Sequence, residues 1–274
     1  MDNFVDDRDY KLLEQDKYTF FVLRRIMGGE FKILLTDHER LIICFTGLPY
    51  PVWFWTPDDV TEAEMEQAYR LADENGLLDG EHRFNLKYEL AEYFMKRVAE
   101  DGRKLEIKTN MFAYDNLSPV EPAGKCGGKL HQCTESDVDE LVELMDLFHH
   151  DIDADYESLE TYRRTALDGI KKGLFFFWQD ENGRNVACCV YRPTGEMASI
   201  GYVYTREEAR RKHYAENLVY RVTKIASEEG FVPMLYTDAD YVASNACYEK
   251  IGYVLQGKLC TIGYAGVGYE LQDC

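Results

Sequence analysis

The stretch "YVYTREEARRKHYAENLV" (residues 202–219) reads as a strand, a short turn and the start of a helix. The turn has no glycine, yet it gathers Arg210, Arg211, Lys212 and His213 where the helix begins. A helix amino terminus carries unpaired backbone N–H groups and the positive end of the helix dipole, so it attracts anions. From these residues alone, the cluster is either a phosphate-holding turn or a solvated charge run. The helix that follows carries Ala215, Leu218, Val219, Val222, Ile225 and Ala226 on one stripe and stops at Gly230.

Working outward, "VPMLYTD" (232–238) is a short buried strand, "SNACYEKIG" (244–252) a short helix ended by Gly252, and "KLCTIGY" (258–264) a final strand. Upstream lie a strand at "KLHQCT" (129–134), the helix "ESDVDELVELMDLFHH" (135–150), an acidic loop and the helix "LETYRRTALDGIKKG" (159–173). Strands "LFFFWQD", "NVACCVYRP" and "MASIGYVYT" come next, the last two joined across Thr194 and Gly195. The order β-α-α-β-β-β-α-β-α-β predicts a mixed α/β domain, a central mixed sheet flanked by helices.

The first half opens with one helical pattern, "YKLLEQDKYTFFVLRRIM" (10–27), then three strand-like runs, "FKILLT", "RLIICFTG" and "YPVWFWT". Thr61 and Glu64 have capping-box spacing ahead of the helix "EAEMEQAYRLADENG". A second helix, "NLKYELAEYFMKRVAEDG" (85–102), places Leu86, Leu90, Phe94 and Val98 on one face, and "KLEIKTNMFAY" reads as a strand. Proline and glycine concentrate in "NLSPVEPAGKCGG" (116–128). The expected division is therefore a domain over 1–117, a linker over 118–128 and a second domain over 129–274.

The formal charge of −19 argues against a nucleic-acid partner, whose phosphates need a basic face. It suits a cationic small molecule or basic peptide as partner. The start "MDNFVDDRDY" lacks the basic residues and apolar run of a secretory signal. The most apolar window (41–55) is short and broken by Gly47, Pro49 and Pro51, so a cytoplasmic protein without a membrane span is expected. None of the eight cysteines forms a C-x-x-C pair, and reduced thiols, mostly buried, are the plain reading. "HHDIDADYE" (149–157) imitates a calcium loop, but Tyr156 and Tyr162 stand where that loop needs glycine and glutamate, so no metal is expected. "GYAGVGYE" (263–270) imitates a nucleotide fingerprint without a helix to follow.

Two motifs together resemble the GNAT acyltransferase superfamily, many of whose members read "VYT-x-x-E-x-R-G-x-G-Y-A" and then "LYTD…SN-x-x-Y-x-x-I-G-Y". Here "VYTREEARRKHYA" matches at Val203, Tyr204, Thr205, Glu208, Arg210, Tyr214 and Ala215. The second pattern matches at Leu235 to Asp238, Ser244, Asn245, Tyr248 and Ile251 to Tyr253. The stretch "LIICFTGLPYPVWFWTPDD" (41–59) resembles the amino-terminal half of two-domain bacterial GNAT proteins, a reduced, non-catalytic copy of the same fold. The departures are Arg211 and His213, where the family usually has glycine. Glycine lets backbone approach a pyrophosphate closely; arginine and histidine either replace that with charge-assisted hydrogen bonds or obstruct it.

The resemblance implies direct transfer of an acetyl group from acetyl-CoA to an amine. Val203 and Tyr204 would pair with the pantetheine arm, and Arg210, Arg211, Lys212, His213, Tyr214 and Ala215 would hold the pyrophosphate. Asn245 would touch the pantetheine or its neighbouring phosphate, and Tyr248 would protonate the departing thiolate, its ordinary pKa lying just above a thiol's. Glu196 and Asp238 are the two candidates for the base. Asp151, Asp153, Asp155 and Glu157 could meet a cationic amine in the segment between the domain's first two helices. The alternative is a non-catalytic module, binding acyl-CoA or a protein through a degenerate phosphate loop. A longer acyl-CoA or an aminoacyl-tRNA is a further possible donor, the tRNA disfavoured by the charge. The acceptor and the oligomeric state stay open.

Overall fold

The computed structural model describes residues 1–152 and 156–266 and divides the chain into two compact units. The first unit comprises Met1–Ala113, Tyr236–Asp240 and the described residues from Gln256 on; the second comprises Tyr114–Leu235 and Tyr241–Leu255. The final strand thus belongs to the first unit, where the sequence reading put it in the second domain. The reason is pairing: Cys260, Thr261 and Ile262 lie antiparallel to Leu86, Asn85 and Phe84.

In the first unit, α1 (Asp7–Leu12) and α2 (Phe21–Met27) replace the single opening helix. An Asp6–Asp9 capping box starts α1. Asp16, in the break, accepts from Trp55 Nε1 and Lys87 Nζ, both at 2.8 Å, which holds the intervening segment out of a helix. Strands β1 (Ile33–Thr36), β2 (Ile42–Phe45) and β3 (Val52–Trp55) are antiparallel neighbours. Helix α3 (Glu62–Glu74) begins at the Thr61–Glu64 capping box. Strand β4 (Phe84–Leu86) runs parallel to β3, so Leu86 lies on a strand and not on the expected helical face. Helix α4 starts later, at Tyr88–Glu100, with Leu90, Phe94 and Val98 buried as the pattern predicts. Then come β5 (Leu105–Asp115) and, from the end of the chain, β11 (Val254–Tyr264), which lies between β4 and β5.

The second unit follows the expected order. It contains β6 (Lys129–Gln132), α5 (Val138–Ile152), α6 (Leu159–Lys171), β7 (Phe175–Gln179), β8 (Asn185–Thr194), β9 (Met197–Thr205), α7 (Tyr214–Glu228), the part of β10 (Val232–Asp238) up to Leu235, and α8 (Val242–Lys250). Strands β6 to β9 are antiparallel in sequence order, and β10 joins β9 in parallel, giving a mixed sheet. On one face, Leu141, Leu144, Met145, Tyr162 and Ala166 of the two helices pack against Phe175, Phe177, Cys188 and Val190. Residues 118–128 form neither helix nor strand, but they do not hang free. Val120 N–H donates to the Ile251 carbonyl at 2.9 Å, Trp178 Nε1 to Gly127 O at 3.0 Å, and Asn217 Nδ2 to Gly124 O at 2.8 Å.

Among the described residues all seven cysteines are unpaired, five of them buried, and no helix is long and apolar enough to cross a membrane. Phe94 sits between Phe54, Tyr69 and Phe84 with ring centroids 5.3–5.8 Å apart and no exposure. Phe94→Ala should lower unfolding stability by about 3–5 kcal/mol in denaturant titration. Leu159→Ala, at a side chain 63% exposed, should change it by less than about 0.5 kcal/mol.

Candidate active site

Strand β9 is regular up to Gly201, which pairs with Val190, and again from Tyr204, which pairs with Cys188. Tyr202 and Val203 therefore oppose Cys189 alone, a bulge, and Tyr202 takes a left-handed φ of 47°. On its other edge β9 pairs with β10 only through Met197–Ser199 against Val232–Met234. Residues 200–205 thus present an edge beyond the end of that ladder, where an extended ligand could pair with backbone.

The basic turn follows at once. Arg206 is held by Glu140 Oε1 at 2.9 Å and Glu143 Oε1 at 2.8 Å, so it braces the turn against α5. Arg211 and His213 both have φ of 63°. These are the two positions where the family pattern has glycine, and the backbone keeps the glycine conformation without glycine. Left-handed backbone costs a side-chain-bearing residue about 1–2 kcal/mol, so something must hold it. For His213 the cause is visible. Its ring lies flat on Gly124, where a Cβ would fall 2.3 Å from Nδ1, and Asn217 Nδ2 ties the His213 carbonyl at 2.9 Å to the same segment. His213 is the N-cap of α7 and gives it no side-chain cap, leaving the first N–H groups, on Tyr214 and Ala215, without a side-chain acceptor. One opposing charge is near: Glu216 is buried in the first turn, with Oε2 3.2 Å from His213 Nδ1. Lys212 is exposed.

Arg210 donates to Thr205 O at 3.1 Å and Asp151 Oδ1 at 2.9 Å, and its guanidinium stacks 5.6 Å from the Tyr204 ring centroid. Burial raises the Tyr204 phenol, and Arg210 opposes that shift. Asp151, expected to meet an amine, is paired here: its carboxylate accepts from Arg210 and its carbonyl from Tyr241 Oη at 3.0 Å. Asp153 and Asp155 lie outside the described residues.

On α8, Asn245 and Tyr248 are three residues apart and both buried. The Tyr248 ring meets Tyr253 edge-on at 5.9 Å, and Tyr253 Oη pairs with Thr223 Oγ1 at 2.7 Å. Burial pushes the Tyr248 phenol well above its ordinary value, so its proton is firmly held, and the near-balance with a thiol expected from ordinary values does not hold in this structure. Glu196 sits exposed in the β8–β9 turn, its carbonyl accepting from Val232 N at 2.9 Å. Seven residues of strand separate it from Val203, roughly 20 Å, so the structure does not bring these two together. Asp238 belongs to the first unit and accepts from the Asp240 N–H at 3.1 Å. Elsewhere Asp6, Asp9 and His38 converge within 4.8 Å, with His38 Nδ1 2.8 Å from Asp9 Oδ2 and Thr36 Oγ1 donating to Asp9 Oδ1 at 2.6 Å; hydrogen bonds account for that cluster.

The sequence reading passed over Gly124, Tyr202 and Arg192. Arg192 Cζ lies 4.8 Å from the ring centroid of Tyr202, a ring that in turn meets Phe148, His149 and Phe175. The available signal was strand parity, because Arg192 continues the inward series Cys188 and Val190.

The left-handed turn yields a contrast. Arg211→Gly should leave stability within about 0.5 kcal/mol, relieved strain offsetting the gain in unfolded-chain entropy. Arg211→Val, β-branched at the same φ, should lose about 1–2 kcal/mol in thermal or denaturant unfolding.

Residues 140–253 match the acetyltransferase (GNAT) family. No curated protein matches the chain. Among solved structures, a GCN5-related N-acetyltransferase from Sphaerobacter thermophilus is similar at a TM-score of 0.68 and 14% identity, covering 92% of this chain and 87% of that one. A GNAT-family acetyltransferase from Colwellia psychrerythraea gives 0.60 at 12%, covering 96% and 98%. A GCN5-related N-acetyltransferase from Kribbella flavida gives 0.58 at 14%, covering 90% and 94%. At such identities these likenesses speak for the fold, and the family match joins them to the bulged strand and the uncapped α7: the chain carries a GNAT acetyltransferase domain over residues 140–253 and is an acyltransferase.

Proposed function

We propose that the protein transfers an acetyl group directly from acetyl-CoA to an amine. The observation that carries this reading is the left-handed backbone at Arg211 and His213 ahead of the uncapped α7, a phosphate-holding shape kept without glycine. In this reading the N–H groups of the turn and of Tyr214 and Ala215 receive the pyrophosphate, with Lys212 and Arg211 adding charge. Arg210 changes partner from Asp151 to phosphate. Its pair with Asp151 is 40% and 41% exposed, a class of contact worth about 0–1 kcal/mol, so a phosphate can displace it.

The pantetheine arm adds as a strand beside Val203 and Tyr204, and an N–H of the bulge polarises the thioester carbonyl. The amine nitrogen forms the C–N bond as the C–S bond breaks. The ammonium proton leaves to water, the departing thiolate takes a proton from Tyr248, and water returns a proton to the phenolate. Because Tyr248 is buried and neutral, it serves as a donor whose proton moves only when the thiolate's charge develops beside it. Asn245, one turn earlier on α8, fixes the arm. The first unit is, in this account, the reduced copy of the fold that the sequence resemblance implies.

The test is amine-dependent release of free CoA from acetyl-CoA across a broad amine panel. Tyr248→Phe should lower kcat by about 100-fold while acetyl-CoA affinity stays within about threefold. Unchanged turnover would remove the role of Tyr248, and no turnover with any amine would overturn the enzymatic reading in favour of a binding module.

A further inference from the structure

Strand β8 sorts its side chains cleanly between two faces. Cys188 and Val190 pack under α5 and α6, whereas Tyr191 faces α7 and donates from Oη to Glu229 Oε2 at 2.7 Å. Arg192 shares the parity of Cys188 and Val190, and its guanidinium stacks on Tyr202 at 4.8 Å. Around that ring stand Phe148 at 5.3 Å, His149 at 5.4 Å and Phe175 at 6.2 Å. The cation is half-buried in an aromatic wall, yet among the described residues no carboxylate pairs with it. That is unusual in a chain with 50 acidic residues and 31 Lys and Arg. Arg206, also half-buried in the same unit, holds two carboxylates. The Arg192 guanidinium meets Tyr202, over its ring and by a hydrogen bond to its hydroxyl, and keeps the rest of its N–H fork for an outside anion.

Its position says which anion. Tyr202 is the bulge residue, next in sequence to Val203, so the guanidinium lies against the backbone that presents the acyl group in the reading above. Tyr248 lies on the other face, where its surroundings include Cys189, the strand neighbour of opposite parity. The thiol therefore leaves on the α8 face, and the acceptor arrives on the Tyr202 face. We propose that Arg192 reads the carboxylate of the acceptor, so that the amine substrate is an amino acid or an amine of that class, with an apolar or aromatic portion against Phe148 and Tyr202. This rests on the acyl-transfer reading. It adds a carboxylate to the amine expected from the sequence.

The experiment compares amines that differ only in the carboxylate: L-phenylalanine with phenethylamine, and L-lysine with cadaverine, each with acetyl-CoA. The native protein should favour the carboxylate-bearing member by about tenfold or more in kcat/KM, the worth of a charge-assisted hydrogen bond. Arg192→Met should cost the amino acid about tenfold more than its partner, and Arg192→Lys should keep part of the preference. Acetyl-CoA affinity, read by calorimetry in the same variants, reports on the donor site separately. Equal losses for both members of a pair, or a native preference for the amine without carboxylate, would overturn the inference while leaving acyl transfer standing. Absent acetyl-CoA binding together with absent turnover would overturn the acyl-transfer reading itself and this inference with it.

Discussion

Helix α7 starts without a side chain to cap it, and that unmet demand organises the second unit. Its leading N–H groups need an acceptor, and the turn before them is held in a shape that aims them outward. Two non-glycine residues pay for that shape in backbone strain, at φ values that side chains rarely adopt. The surroundings keep them there: Arg206 anchors the front of the turn to α5, while Gly124 and Asn217 clamp its end. A strained turn held from both sides, ahead of an open helix end, is the arrangement an anion would complete.

The strand before the turn also separates the two faces of the sheet. The bulge at Tyr202 and Val203 interrupts the alternation of β9, and the ladder to β10 has already stopped at Ser199. In the proposed reaction, donor, leaving group and acceptor meet at that stretch of backbone without sharing a side. Tyr248 waits in the apolar layer with α7 and α8, and Arg192 waits with the aromatic side chains of α5 and β7.

Much of this was legible from the residues. The order of elements in the second unit, the cap at Thr61, and the stops at Gly102, Gly230 and Gly252 all follow from local chemistry that leaves a sequence trace. Three things left little trace. The break between α1 and α2 comes from Asp16 reaching Trp55 and Lys87, contacts 39 and 71 residues away. Leu86 sits in β4 because the last strand of the chain pairs with it, which no local pattern reports. In the site, glycine would have announced the left-handed turn; with arginine and histidine there, only the distant Gly124 hints at how the ring is seated.

The most direct measurement is a calorimetric titration of the purified protein with acetyl-CoA and, in parallel, with acetyl-pantetheine, which carries the thioester arm without the phosphates. The account predicts acetyl-CoA binding near the micromolar range and about 100-fold tighter than acetyl-pantetheine, the worth of two charge-assisted hydrogen bonds at the turn. Equal affinities for the two, or no binding of acetyl-CoA by folded protein, would contradict the claim that this turn holds phosphate without glycine.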